Sequence, residues 1–131
     1  MSSTYTANKV LELIAGKTAF ATPTVTLRLS KADPLADGSG ISQLSGSGYA
    51  GVVLSGSDWE SASGGEITNA VPIDFPEATD TWDEATHFYA TDASGNLLWR
   101  GPLAEPVIVG AGEILRFPAG TLVGKTGALA T

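Results

Sequence analysis

Glycine and proline punctuate this chain so closely that, beyond its first seventeen residues, mostly short extended segments fit between them: 16 Gly and 7 Pro stand among 131 residues. The clearest result is a hairpin. His87-Phe88-Tyr89-Ala90-Thr91 and Leu97-Leu98-Trp99-Arg100 flank "DASGN", where Asp92, Gly95 and Asn96 supply turn chemistry. A second hairpin is expected from Pro106–Val109 and Glu113–Phe117 across "GAG" (110–112). Upstream, residues 24–30 alternate, with Val25, Leu27 and Leu29 on one side and Thr24, Thr26, Arg28 and Ser30 on the other. Further strands are expected over 49–54, 66–74 and 121–123. This spacing predicts a mainly β chain, an antiparallel β-sandwich in one domain over 1–131.

One helix precedes the strands. Val10, Leu11, Leu13 and Ile14 make an apolar stripe over about 6–15, with Thr4 or Thr6 as N-cap and Gly16 as C-cap. The long Gly/Ser/Asp loop 31–47, the polar loop around Asp58-Trp59-Glu60 and the acidic connection "PEATDTWDEAT" (76–86) link the strands.

Charge and composition exclude several classes of function. A net charge of −7 is opposite to the basic footprint that nucleic acid or anionic lipid demands, so no nucleic-acid or membrane partner is expected. The absence of cysteine removes disulfide and thiol chemistry. The opening "MSSTYTANKVLELIAGKT" does not read as a signal peptide, since its apolar run is short and broken by Glu12. No run approaches the ~20 apolar residues of a membrane span.

Two motifs mimic nucleotide sites. "AGTLVGKT" (119–126) fits a loosened P-loop, but the five residues after Thr126 are too few for the helix that would face the phosphates. The expectation is a last strand followed by a tail over 124–131 that is flexible or ordered by a partner. "GSGYAG" (46–51) fits G-x-G-x-x-G, yet it is followed by Val52-Val53-Leu54, a strand instead of a helix. Neither implies a cofactor.

Other chemistry is equally sparse. His87 is the single histidine and lies within an expected strand, with no nucleophile elbow to serve. Asp74, Glu77, Asp80, Asp83 and Glu84 lack calcium-loop spacing and read as a solvated connection. No catalytic, cofactor or metal residue is therefore assigned, and stability independent of metal is expected. Trp82 and Trp99 read as core. Trp59, between Asp58 and Glu60, reads as a contact residue, with sugar stacking as one use for it.

Residues 68–122 carry an ordered set of marks. They are Asn69 before an apolar strand, the Phe75-Pro76…Ala78-Thr79 corner, Trp82, and Thr86-His87-Phe88. The Asp92-to-Asn96 turn with Leu97-Leu98 follows, then Gly101, Leu103, the Gly110–Gly112 turn and "FPAGTL". With "KVLELIAGKTAFATPTVTLRLSKADP" and "GSGYAG" upstream, the order resembles a family of small proteins of tailed bacteriophages and prophages known as tail fibre proteins, over about residues 7–123. Loop 31–47 and the acidic "PEATDTWDE" depart from the family's pattern.

The resemblance implies a non-enzymatic structural component of the virion, tail-fibre-like or a capsid decoration (cement) protein, synthesised in the bacterial host cytoplasm. It implies copies of itself as partners, with a trimer as one form, and other phage virion proteins. A carbohydrate-binding module for host-surface glycans is the alternative, and an enzyme the third reading. Contacts are expected to come from what projects: helix 6–15, which is also placed to cover a sheet edge, loop 31–47 with Leu35, Ile41 and Leu44, and Trp59. The hairpin 86–101 is expected to form the core of the fold.

Overall fold

A computed structural model describes residues 2–125. The chain runs α1 (Thr4–Ile14), β1 (Val25–Ser30), β2 (Val52–Leu54), a short 3-10 turn (Gly56–Asp58), β3 (Glu66–Thr68), β4 (Ile73–Asp74), β5 (Ala85–Thr91), β6 (Leu97–Val107), β7 (Arg116–Phe117) and β8 (Val123–Lys125). It is mainly β, with one short N-terminal helix. Every strand pair is antiparallel.

The frame is a four-stranded sheet in the order β2-β1-β5-β6. Alternation in β1 sends Leu27 and Leu29 to one face, and the register sets them opposite Ala90 and Phe88 of β5. Leu27, Leu29 and Ala90 are fully buried. The layer over this face is not a second continuous sheet but two ribbons, β3-β8 and β4-β7. They bring Ile73, Phe75, Phe117 and Leu122 into the cluster, and Phe117 meets Phe88 edge-on at 6.2 Å.

The second hairpin expected from sequence does not form. Residues 113–117 pair with 73–78 instead. Phe75 N–H donates to Leu115 C=O (2.9 Å), Ala78 N–H to Glu113 C=O (3.0 Å), and Asp74 faces Arg116 in the β4-β7 ladder. Trp82 N–H takes Val109 C=O at 2.9 Å. The "acidic connection" is thus half structural: its charges point outward, while Ala78, Trp82 and Ala85 are buried. The expected strand 66–74 is correspondingly broken into β3 and β4, because Asn69 turns the chain between the two ribbons.

Asn69 is 1% exposed and fully bonded. Its Nδ2 donates to Val71, Phe117 and Pro118 carbonyls, and its Oδ1 accepts Leu122 N–H at 3.0 Å. One amide side chain therefore holds the Pro118–Leu122 corner that carries "FPAGTL".

The glycines of "GSGYAG" answer to packing. A Cβ on Gly46 would stand 2.5 Å from the Trp82 indole, and Gly48 adopts φ +85° against Glu77 C=O. Trp82 lies in the space that Gly46 leaves, donating Nε1–H to Ser47 C=O at 2.9 Å. The motif is a seat for a core tryptophan.

The final strand begins two residues later than expected. Gly124 and Lys125, assigned to the tail, belong to β8: Gly124 pairs with Ile67 and packs on Trp99, and Lys125 Nζ reaches Glu66 at 3.0 Å. The rest of the expected tail, 126–131, lies outside the described residues.

Candidate functional site

Helix α1 begins with small hydroxyl residues, and these hold it in place. Ser3, rather than Thr4 or Thr6, is the N-cap; its Oγ accepts Thr6 N–H at 3.1 Å and donates to Leu97 C=O. Ser3 N–H donates to Leu98 C=O (3.0 Å) and Thr6 Oγ1 donates to the same carbonyl (2.8 Å). Ser2 bridges to Trp99 and donates its hydroxyl to Lys125 C=O. The segment thereby covers the start of β6, an otherwise open edge.

The other end of the helix is different. Gly16, at φ +77°, closes a Schellman cap in which Gly16 N–H meets Leu13 C=O and Lys17 N–H meets Glu12 C=O at 2.9 Å. Thr6, Val10, Leu13 and Ile14 recur at i, i+4, i+7 and i+8, the pattern of one buried face. Only its first member is buried. Leu11, Leu13 and Ile14 are 51%, 46% and 73% exposed. The stripe overhangs the body, and the connection that follows stays largely in solvent through Thr24, with Phe20 partly covered edge-on to Tyr5.

The residues that sequence singled out for contact separate. Leu35 remains 47% exposed and is the one non-glycine residue at positive φ (+63°) among the described residues. Asp33 Oδ1 accepts its N–H, so a tight turn fixes it in that conformation. Ile41 is half-buried against Gly38, which itself packs on Leu97.

Leu44 is a core residue, not a contact: it is 2% exposed. Loop 31–47 does not project over this stretch, because its return arm pairs with the edge of β1. Lys31 N–H meets Ser42 C=O, Leu44 N–H meets Leu29 C=O, and buried Ser30 Oγ accepts the amides of Ala32 and Ser42.

Trp59 is likewise only partly exposed. Its ring meets Trp99 edge-on at 5.2 Å, and Ala70 N–H to Asp58 C=O and Glu60 N–H to Thr68 C=O anchor its loop. Trp99, expected in the core, shares this intermediate position, while Trp82 is buried as expected.

Two grooves of about 420 Å³ each flank Tyr5, one lined by Lys9, Phe20 and Asp92, the other by Asn8, Asp37 and Asn96. Asp92 Oδ1 accepts the amides of Ser94 and Asn96, and its Oδ2 accepts Asn96 Nδ2–H. Burial pushes the Asp92 carboxyl up, but the bonds from Asn96, Ser94 and Tyr5 outweigh it and hold the group below its usual range. That carboxylate organises the hairpin turn.

His87 bonds Thr86 Oγ1 at 2.8 Å within β5. Among the described residues no three His, Asp or Glu side chains gather where a metal ion would be held. Asp74 spends its carboxylate on a bidentate pair with Arg116 at 2.7 and 3.0 Å.

Sequence reasoning named the helix as a projecting element. It did not separate the docked first turn from the free remainder; the available signal was the hydroxyl run Ser2-Ser3-Thr4 ahead of a stripe too long for one strand edge.

No curated protein sequence matches the chain. The family model of the Podophage GP4 fiber I protein gp80 matches it over residues 1–125, which takes in the helix, every strand and all the marks on which the resemblance rested. A body closed around its own core, with an apolar helix left outside it, is thus the form that this sequence gives to a phage fibre protein: the chain belongs to the Podophage GP4 fiber I protein gp80 family.

Proposed function

We propose that this protein is a non-enzymatic fibre subunit that works by gripping neighbouring virion proteins, including copies of itself, at the tail and not as a cement on the capsid shell. The observation that carries the reading is helix α1. Its first turn is fixed to the body by hydrogen bonds, and its apolar remainder is presented to solvent. A contiguous apolar surface of this kind marks a contact with another protein. The family supports the tail position.

The test is immunogold electron microscopy of purified particles carrying an epitope after Thr131, with mass spectrometry of the same particles. The label is expected at the tail, with the protein present in a fixed ratio to other structural proteins. Label spread over the capsid supports decoration instead, and absence from purified particles overturns the structural role.

A further inference from the structure

The two ends of β6 carry complementary surfaces. At its start, α1 is fixed to Leu97 and Leu98 and presents Leu13 and Ile14. Just past its end, Ile108 and Ile114 stand 58% and 53% exposed on either side of the turn closed by Glu113 N–H to Gly110 C=O. Both isoleucines lie outside the core, since Val109 and Leu115 turn inward between and beside them.

Charge divides the same way. Residues 1–24 carry Lys9 and Lys17 against Glu12, a net +1, and the remaining residues hold the balance of the −7, a net −8. Lys17 lies three residues past Ile14, just beyond the helix cap, and is exposed. Near the isoleucines in sequence, the exposed acids Glu105 and Glu113, with Glu77, whose carboxylate lies beside Gly112, outnumber the exposed base Arg116, which Asp74 pairs. An apolar, basic helix end and an apolar, acidic patch are matched in chemistry.

Within one chain they are held apart. β6 runs from Leu97 to Val107 opposite Thr91 to Ala85 of β5, which sets its ends about 20 Å apart. We infer that the free face of α1 in one copy seats on the Ile108–Ile114 patch of the next copy, a head-to-tail contact between unlike surfaces. Repetition of such a contact closes into a ring or continues as a row, unlike a two-fold dimer. The helix, about 16 Å long, buries too little alone for a tight isolated dimer, so the contact gains strength from repetition. This deepens the self-association in the proposed function and names its surfaces.

The chain lacks cysteine, which makes disulfide trapping clean. Leu13→Cys and a mass-tagged Ile114→Cys, purified separately, are mixed under a glutathione redox buffer. The mixed disulfide is expected well beyond its statistical share and to shrink toward that share in high salt. Lys17→Glu on the Leu13→Cys copy should lower the excess several-fold, and Glu77→Lys on the other copy should restore it. A Leu13→Cys homodisulfide as main product overturns the inference in favour of a two-fold helix contact. A statistical mixture overturns it in favour of a different protein as the helix's partner. Either failure leaves the localisation on virions untouched, because this experiment uses the purified protein alone.

Discussion

The β5-β6 hairpin and helix α1 lie against each other, and they use their apolar residues in opposite ways. The hairpin buries Tyr89, Ala90, Leu97 and Leu98, leaving each at most 6% exposed. The helix turns Ser3 and Thr6 inward and leaves Leu11, Leu13 and Ile14 outside. Polar anchoring makes this possible. Three hydrogen bonds to the Leu97 and Leu98 carbonyls satisfy both the helix start and the open sheet edge, so no apolar contact is needed to hold the helix. The body is stabilised by what it hides, and the helix leaves its apolar residues exposed.

That contrast breaks most readily in the body. Trp82 fills the space beside Gly46 and is 2% exposed. Trp82→Ala is expected to cost about 3–5 kcal/mol, read by chemical denaturation, through the cavity and the lost indole bond to Ser47 C=O, which keeps only Thr79 N–H. Asn69→Ala comes next, at about 2–3 kcal/mol, because it leaves buried groups of the Pro118–Leu122 corner without partners. If either change cost no more than a surface substitution, the body would not be the self-sufficient unit described.

Alkaline pH probes the same interior more gently. Burial, with a smaller push from Tyr49, raises the Tyr89 phenol to about 12, and burial raises Tyr49 too. Well below pH 10 both folded and unfolded chains keep these protons, so stability should not respond through them. Between pH 10 and 12 the unfolded chain releases the Tyr89 proton and the folded chain retains it. Rising pH therefore favours unfolding in that window. Absorbance titration near 295 nm should show a Tyr89 phenol that ionises late in folded protein and at its ordinary pH in denaturant.

The hairpin and the helix were legible in sequence because their determinants are local. Asp92 and Gly95 write the turn, and Gly16 writes the helix end. The pairing of 113–117 with 73–78 was not legible. The Gly110–Gly112 turn is real, but which strand the chain meets after it depends on Phe75, Ala78 and Trp82 reaching the core from a distant segment. Leu44 was misplaced, and Trp59 lies closer to the body than expected, for a related reason. Each sits among Gly, Ser or acidic residues with no periodicity to mark an inward face, and tertiary pairing alone draws them in. Of the surface, the helix was visible as an apolar stripe; the patch at Ile108 and Ile114 was hidden inside an expected hairpin.

The central claim is that α1 presents its apolar face to a neighbour at little consequence for its own fold. The most direct measurement pairs two readings on one variant, Leu13→Ser with Ile14→Ser. Unfolding of the purified protein should shift by no more than about 0.5 kcal/mol, as for other exposed sites. Phage particles assembled with the variant should contain far less of the protein by quantitative mass spectrometry. A variant that loses stability but enters particles normally would show that the stripe serves the fold, and would contradict the account.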